Sequence, residues 1–166
     1  MAIRNIITDD DPMLRKKSRE VTVFNARLHQ LLDDMAETMA EACGAGLAAV
    51  QVGVLRRVAL VDAGDGLVEL INPEIIGTSE EIQSGAEGCL SFPGWIGTVE
   101  RPMSVTVRAQ DRHGNPIEIT GEGLKARAFC HELDHLDGVL FQDHATDLYE
   151  LSDDDDLDDW DSDEES

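Results

Sequence analysis

Residues 122–137 constrain the fold more than any other stretch of the chain. Their spacing predicts a helix ended by Gly138, with two separate apolar stripes. One stripe is Ala126, Phe129, Leu133 and Leu136; the other is Leu124, Ala128, His131 and His135. A helix with buried character on two sides has to be enclosed by other elements. The same helix carries His131-Glu132-Leu133-Asp134-His135, an H-E-x-x-H sequence. The i, i+4 spacing puts both imidazoles on one face, a turn apart, where they can grip one metal ion. Glu132 stands beside them, within reach of a proton on a metal-bound water. A bare five-residue pattern also arises by chance, but here it falls inside a strongly periodic helix.

Upstream, the chain supplies what could enclose that helix. Residues 12–17 read as a short helical turn opened by Pro12. Residues 25–42 predict a long helix, since Leu28, Leu31, Leu32, Met35, Met39 and Ala42 form one apolar stripe, with Gly44 as its stop signal. Short β-type runs follow at 57–62, 67–71, 75–77, 82–84, 98–99, 103–110 and 116–119, with turns at Gly64–Gly66 and Arg112–Asn115. Helix, many strands, helix predicts an α+β fold, with antiparallel sheets packed around a central C-terminal metal-binding helix and an N-terminal helix beside them.

A chain of 166 residues accommodates one domain with a real core. Residues 1–150 read as that domain. Aromatic residues make up only 4%, so its core must be mostly aliphatic. The net charge is −22, and ten of the acidic residues lie in 152–166, which hold no basic residue. Without that segment 25 acids face 13 bases, a net −12. An acidic body argues against a broad nucleic-acid or anionic-membrane surface. Residues 151–166 predict a disordered acidic tail, since so charged a segment cannot bury enough apolar surface to order itself. Leu157 and Trp160 are the residues through which it would make any contact.

Three widely spaced cysteines, Cys43, Cys89 and Cys130, do not form a disulfide framework. The N-terminus reads as neither a signal peptide nor an anchor, and no run of 18 apolar residues occurs. These features predict a reducing cytoplasm and leave each thiol free to serve as a ligand.

A site with two histidines needs a third protein ligand and one open position. Downstream, His144 does not fit the longer H-E-x-x-H-x-x-G-x-x-H spacing. Upstream, Cys89 sits in Glu87-Gly88-Cys89-Leu90-Ser91. Its thiolate would suit Fe(II) or Zn(II); a buried packing cysteine is the bland alternative. Earlier still comes Gly44-Ala45-Gly46-Leu47-Ala48-Ala49-Val50-Gln51. Backbone bare of side chains can pair with an extended peptide, and a buried Gln51 can donate to a developing oxyanion. Tight packing of small residues explains that segment equally well.

Together GAGLAAVQ, EGCLS and HELDH, in that order, resemble the three motifs of the peptide deformylase family. The resemblance runs from about residue 3 to 145. It implies a metal held by Cys89, His131 and His135: one divalent ion, Fe(2+) natively, with Zn(2+), Ni(2+) or Co(2+) also accepted. It implies Glu132 as proton shuttle, and Gln51 with the backbone N–H of Leu90 as oxyanion donors. Substrate contacts fall to Gly44, Gly46, Glu87 and Gly88. Leu124 and Ala128, seven and three residues before His131 on its face, would wall a methionine pocket, and Arg127 shares that face. Glu87 and Arg101 would pair near the site.

The implied reaction is hydrolysis of the N-formyl group from N-formylmethionyl peptides, releasing formate. The implied setting is a monomer in transient proximity to the ribosome, without direct nucleic-acid or membrane binding. The chain departs from the common pattern at Val50, at Cys130 beside a ligand, and in its acidic tail. Two other readings stand beside this one. An H-E-x-x-H peptidase would cut internal peptide bonds, and a non-catalytic binding protein would use the tail as an arm. The missing downstream ligand weighs against the first; intact Gln51 and Glu132 weigh against the second.

Overall fold

The computed structural model describes residues 2–151. The predicted disordered tail, 151–166, lies outside them except for Leu151. Helix α1 spans Ala26–Glu41 and opens on Asn25, whose side chain accepts from the Leu28 N–H at 3.2 Å. That bond satisfies one of the amides a helix start leaves without a partner. The apolar stripe of α1 is its buried face, with Leu32 and Met35 fully enclosed. The chain reverses after the helix at Cys43, in the left-handed region with φ of 57°, one residue before the glycine expected to stop it.

The strands are β1 (Gly46–Ala48), β2 (Val58–Val61), β3 (Val68–Thr78), β4 (Ile82–Cys89), β5 (Phe92–Pro102), β6 (Ser104–Gln110), β7 (Pro116–Glu122) and β8 (Leu148–Glu150). Five form one sheet in the order β1-β2-β3-β6-β7, and the other three form a second in the order β4-β5-β8. Every pairing is antiparallel. Helix α2 is Leu124–Leu136. The fold is α+β, as expected.

The five-stranded sheet lies between the two helices, which explains why 58–61 reads as an unbroken apolar run. Val58 and Leu60 face the cluster built on α1, with Leu28, Leu32, Met35 and Ile71. Val61, with Leu70, Val105 and Val107, faces Ala126, Phe129 and Leu133 of α2. A strand covered on both faces has no polar side to alternate with.

Two differences from the sequence reading have local causes. The runs at 67–71 and 75–77 are one strand, bent by irregularities between Ile71 and Gly77. Asn72 adopts φ of 52° there, and its amide ties the bend to Val21, accepting from Val21 N–H at 2.8 Å and donating to Val21 O at 2.9 Å. The runs at 82–84 and 98–99 are fragments of the long β4–β5 hairpin. Glycine and proline hide it, since Gly85, Gly88, Pro93, Gly94 and Gly97 all disfavour a strand by propensity. Pairing overrides that preference. At Gly97 a Cβ would stand 2.6 Å from the Cβ of Ala145, so its glycine admits the segment leading to β8.

Candidate metal centre and cleft

Helix α2 touches β1, β2, β5, β6 and β7, so His131 and His135 are presented from the middle of the molecule. Cys89 ends β4, on the turn into β5. The three ligand-type atoms lie within 4.8 Å of one another. His135 Nε2 is 3.2 Å from Cys89 Sγ and 3.2 Å from His131 Nε2. Around a tetrahedral ion, bond lengths of about 2.0–2.3 Å separate such donors by roughly 3.4–3.6 Å. Both His135 separations are within a few tenths of an ångström of these values, so the Cys–His–His set converges as ligands of one four-coordinate cation would.

His131 is oriented from behind. Its Nδ1 donates to Glu87 Oε2 at 2.7 Å, which leaves Nε2 as the lone-pair atom facing Cys89 and His135. The Glu87 carboxylate also accepts from Arg101 at 2.7 and 3.1 Å and from Arg127 Nη1 at 2.8 Å. Glu87, Arg101 and Arg127 are all buried. Burial pushes the Glu87 carboxyl up, but the His131 and Arg101 bonds outweigh it and bring it down to about 2. Arg101 reaches on to Asp134 at 2.8 Å, so the second acid of HELDH anchors the same network.

Burial and the neighbouring His131 push His135 well below the ordinary histidine range. Burial also opposes charge on His131, but Glu132, Cys89 and Glu87 outweigh it and raise its pKa. A cation binding at Nε2 competes with that proton.

Glu132 is buried, and its Oε1 has no hydrogen-bond partner among the described protein groups. Burial raises its carboxyl to about 7. A carboxyl that titrates near neutrality can both take and return a proton. Its position depends on Gly46, where a Cβ would stand 2.8 Å from Glu132 Cδ.

Gln51 is also buried, in a one-turn helix at Ala49–Val52. Its Oε1 accepts from Ala48 N–H at 2.9 Å, which fixes the amide's orientation. Its Nε2 donates to Ser91 Oγ at 3.0 Å and lies 3.6 Å from Cys89 Sγ.

These groups border a cleft of about 800 Å³. Gly44, Gly46, Gln51, Glu87, Gly88, Cys89, Leu90, Leu124, Ala128, His131 and Glu132 all line it, and His135 meets it through the ligand cluster. Arg127 lines it too, but its guanidinium is committed to Glu87. Glu87 was expected as a substrate contact. Its carboxylate is instead turned to His131 and the two arginines, a positioning arrangement. Leu124 is 58% exposed, at the mouth of the cleft. Cys130 is buried among the aliphatic residues of α2 and the sheet, as a packing residue would be.

Ser91 and the wall formed by Phe92, Trp95 and Ile96 were missed from sequence. Ser91 stands inside EGCLS, so the motif carried its signal. The wall belongs to the hairpin that glycine and proline concealed.

A polypeptide deformylase family profile matches residues 3–150. The chain belongs to the polypeptide deformylase family. A peptide deformylase of Alkaliphilus metalliredigens is 59% identical over 143 residues, covering 86% of this chain and 97% of that one. One from Caldicellulosiruptor bescii is 57% identical over 146 residues, covering 86% of each. Among solved structures, the Thermotoga maritima peptide deformylase superposes with a TM-score of 0.86 at 41% identity, covering 89% of this chain and all of that one. The Synechococcus elongatus peptide deformylase, solved with actinonin, gives 0.83 at 38% identity and covers 86% of this chain and 79% of that one. Deformylases are metal-dependent hydrolases, and this chain is an enzyme of that class.

Proposed function

We propose that this enzyme removes the N-formyl group from the N-terminal formylmethionine of nascent polypeptides and releases formate. Family membership supports the reaction. The observation that carries the mechanism is a buried carboxyl, Glu132, with one oxygen free of any protein partner among the described residues, beside a Cys–His–His cluster.

Cys89, His131 and His135 are assigned as the metal ligands. A divalent cation held there would supply Lewis acidity, lowering the pKa of a water at the open position. Glu132 takes the proton of the attacking water and delivers it to the departing amine. Gln51 Nε2 donates to the oxygen that becomes negative on the formyl group, joined by the Leu90 backbone N–H. Ser91 and the Ala48 amide hold Gln51 in place, so this donor is preorganised. Gly44, Gly46 and Gly88 line the cleft, and β1, which begins at Gly46, is an edge strand whose free backbone can pair with an extended peptide, while Leu124 and Ala128 offer apolar contact to the methionine side chain.

Residues 1–150 are assigned as the catalytic unit. Fe(2+) is assigned as the native ion, with Zn(2+), Ni(2+) and Co(2+) as substitutes, since a thiolate and two imidazoles suit all of these. A free Cys89 needs reducing surroundings, and Cys43, Cys89 and Cys130 are all unpaired in the structure. No helix among the described residues is long and apolar enough to cross a membrane. A cytoplasmic monomer working near the ribosome is the setting that joins these features.

The test is product analysis with formyl-Met-Ala-Ser and a longer formylated peptide, using anaerobically purified protein. Deformylated peptides of full length are expected. Cleavage at internal bonds would instead assign the site to an endopeptidase.

A further inference from the structure

A second groove of about 800 Å³ shares no lining residue with the catalytic cleft. It lies between residues 19–31 and the loop at 53–56. Its floor is apolar, with Leu28, Leu31 and Val54, and Val23 beside it is 62% exposed. Its rim is cationic. Arg19, Arg27 and Arg56 are exposed, and none forms an ion pair among the described residues.

The backbone holds two of these cations together. Arg19 and Arg56 face each other in an isolated β-bridge, fixed by Arg57 N–H to Arg19 O at 2.8 Å and Arg19 N–H to Leu55 O at 3.1 Å. Like charges placed directly opposite each other destabilise a strand pair. Glu20 also lines the groove, but it forms no ion pair with these arginines among the described residues, so three cations face one carboxylate there, in a chain with 35 acidic and 13 basic residues, and an anionic occupant would balance them.

We propose that this groove is the docking site of the chain's own acidic segment, residues 152–166. That segment carries ten carboxylates and no cation, and its apolar residues are Leu157 and Trp160, matching a groove with a cationic rim and an apolar floor. Trp160 can also stack on an arginine guanidinium. Trp160 stands nine residues beyond Leu151, a reach of about 30 Å against the roughly 40 Å diameter of a domain of this size. The described chain ends at Leu151, whose N–H bonds to Gly94 O at 2.7 Å. Eight residues earlier, Asp143 pairs with Arg15, four residues before Arg19. A tether of this length gives an effective concentration on the order of millimolar, so individually weak ion pairs suffice. Docking needs no regular structure in the segment. Its consequence is self-masking: while the segment is seated, the basic face is closed to other polyanions.

The chain's two tryptophans allow a direct test. In the full chain carrying Trp95→Phe, Trp160 is the only indole. At low ionic strength its emission should be blue-shifted and shielded from acrylamide. About 0.5 M salt, where the Debye length is about 4 Å, should abolish both effects. So should Arg19→Glu with Arg56→Glu, and Arg19→Gln with Arg56→Gln should weaken them if the reversal impairs folding. A fully solvated Trp160 that is the same in all these proteins would overturn the proposal. A second measurement uses a single-stranded RNA oligonucleotide. It should bind far better once the ten tail acids are replaced by Asn and Gln; equal binding by the intact chain would show that the groove is open and overturn the proposal.

Discussion

Glu132 packs directly against Gly46, with its Cδ 2.8 Å from where a Cβ on that glycine would lie. The proton-handling carboxyl on α2 is thereby located by the backbone of β1, at the start of the sheet. Gly46→Ala must move the carboxyl, because backbone lies on one side and α2 on the other. A misplacement of about 1 Å costs on the order of 100-fold in rate. Turnover of a formyl-Met peptide should fall by about that factor, with metal content by atomic emission unchanged.

Glu87→Gln tests the network behind His131. The substitution removes the charge that two buried arginines face, and breaking a buried ion pair in this way costs about 3–5 kcal/mol. It also loosens the orientation of His131, which in comparable sites weakens metal binding by about 10–100-fold. Denaturant unfolding and chelator competition should show both losses. A loss of substrate affinity with stability and metal binding intact would instead return Glu87 to the role of substrate contact.

The raised pKa of Glu132 predicts a pH dependence in the metal-free protein. Its folded value of about 7 lies above the ordinary 4.5, so the fold favours the protonated form. The contribution to stability is fully present below pH 4.5 and is lost as pH rises through 7. Between those limits the chelated protein should lose on the order of 3 kcal/mol from this group. Glu132→Gln should remove that slope, and equilibrium unfolding at pH 5 and pH 8 measures the difference.

Gln51→Ala removes the amide donor 3.6 Å from Cys89 Sγ and frees the Ala48 N–H. Removing one oxyanion donor typically lowers kcat by about 100–1000-fold. Steady-state kinetics should show the loss mainly in kcat rather than in KM, since the donor acts on charge that develops during the reaction.

Much of this site was legible because its signals are local. His131, Glu132 and His135 fall within five residues of one helix, and Cys89 stands in a recognisable pentapeptide. The two-striped pattern of α2 correctly required covering elements on both sides. The Glu87–Arg101 pair was expected from the resemblance, but the other contacts between distant segments were not legible. Arg127 and His131 on α2 converge on Glu87 only through the fold, so its carboxylate read as a substrate contact. The β4–β5 hairpin was reduced to fragments because glycines that read as turn signals lie within its strands, as Gly97 does against Ala145. The reversal at Cys43 was hidden because a left-handed residue without a glycine leaves no sequence mark.

The most direct measurement is formate release from formyl-Met-Ala-Ser by the metal-loaded full chain, beside Glu132→Ala loaded to the same metal content. The wild-type chain should release one formate per peptide, and the variant should keep its metal and release almost none. No formate from the fully loaded wild type, or undiminished release by the variant, would contradict the assignment.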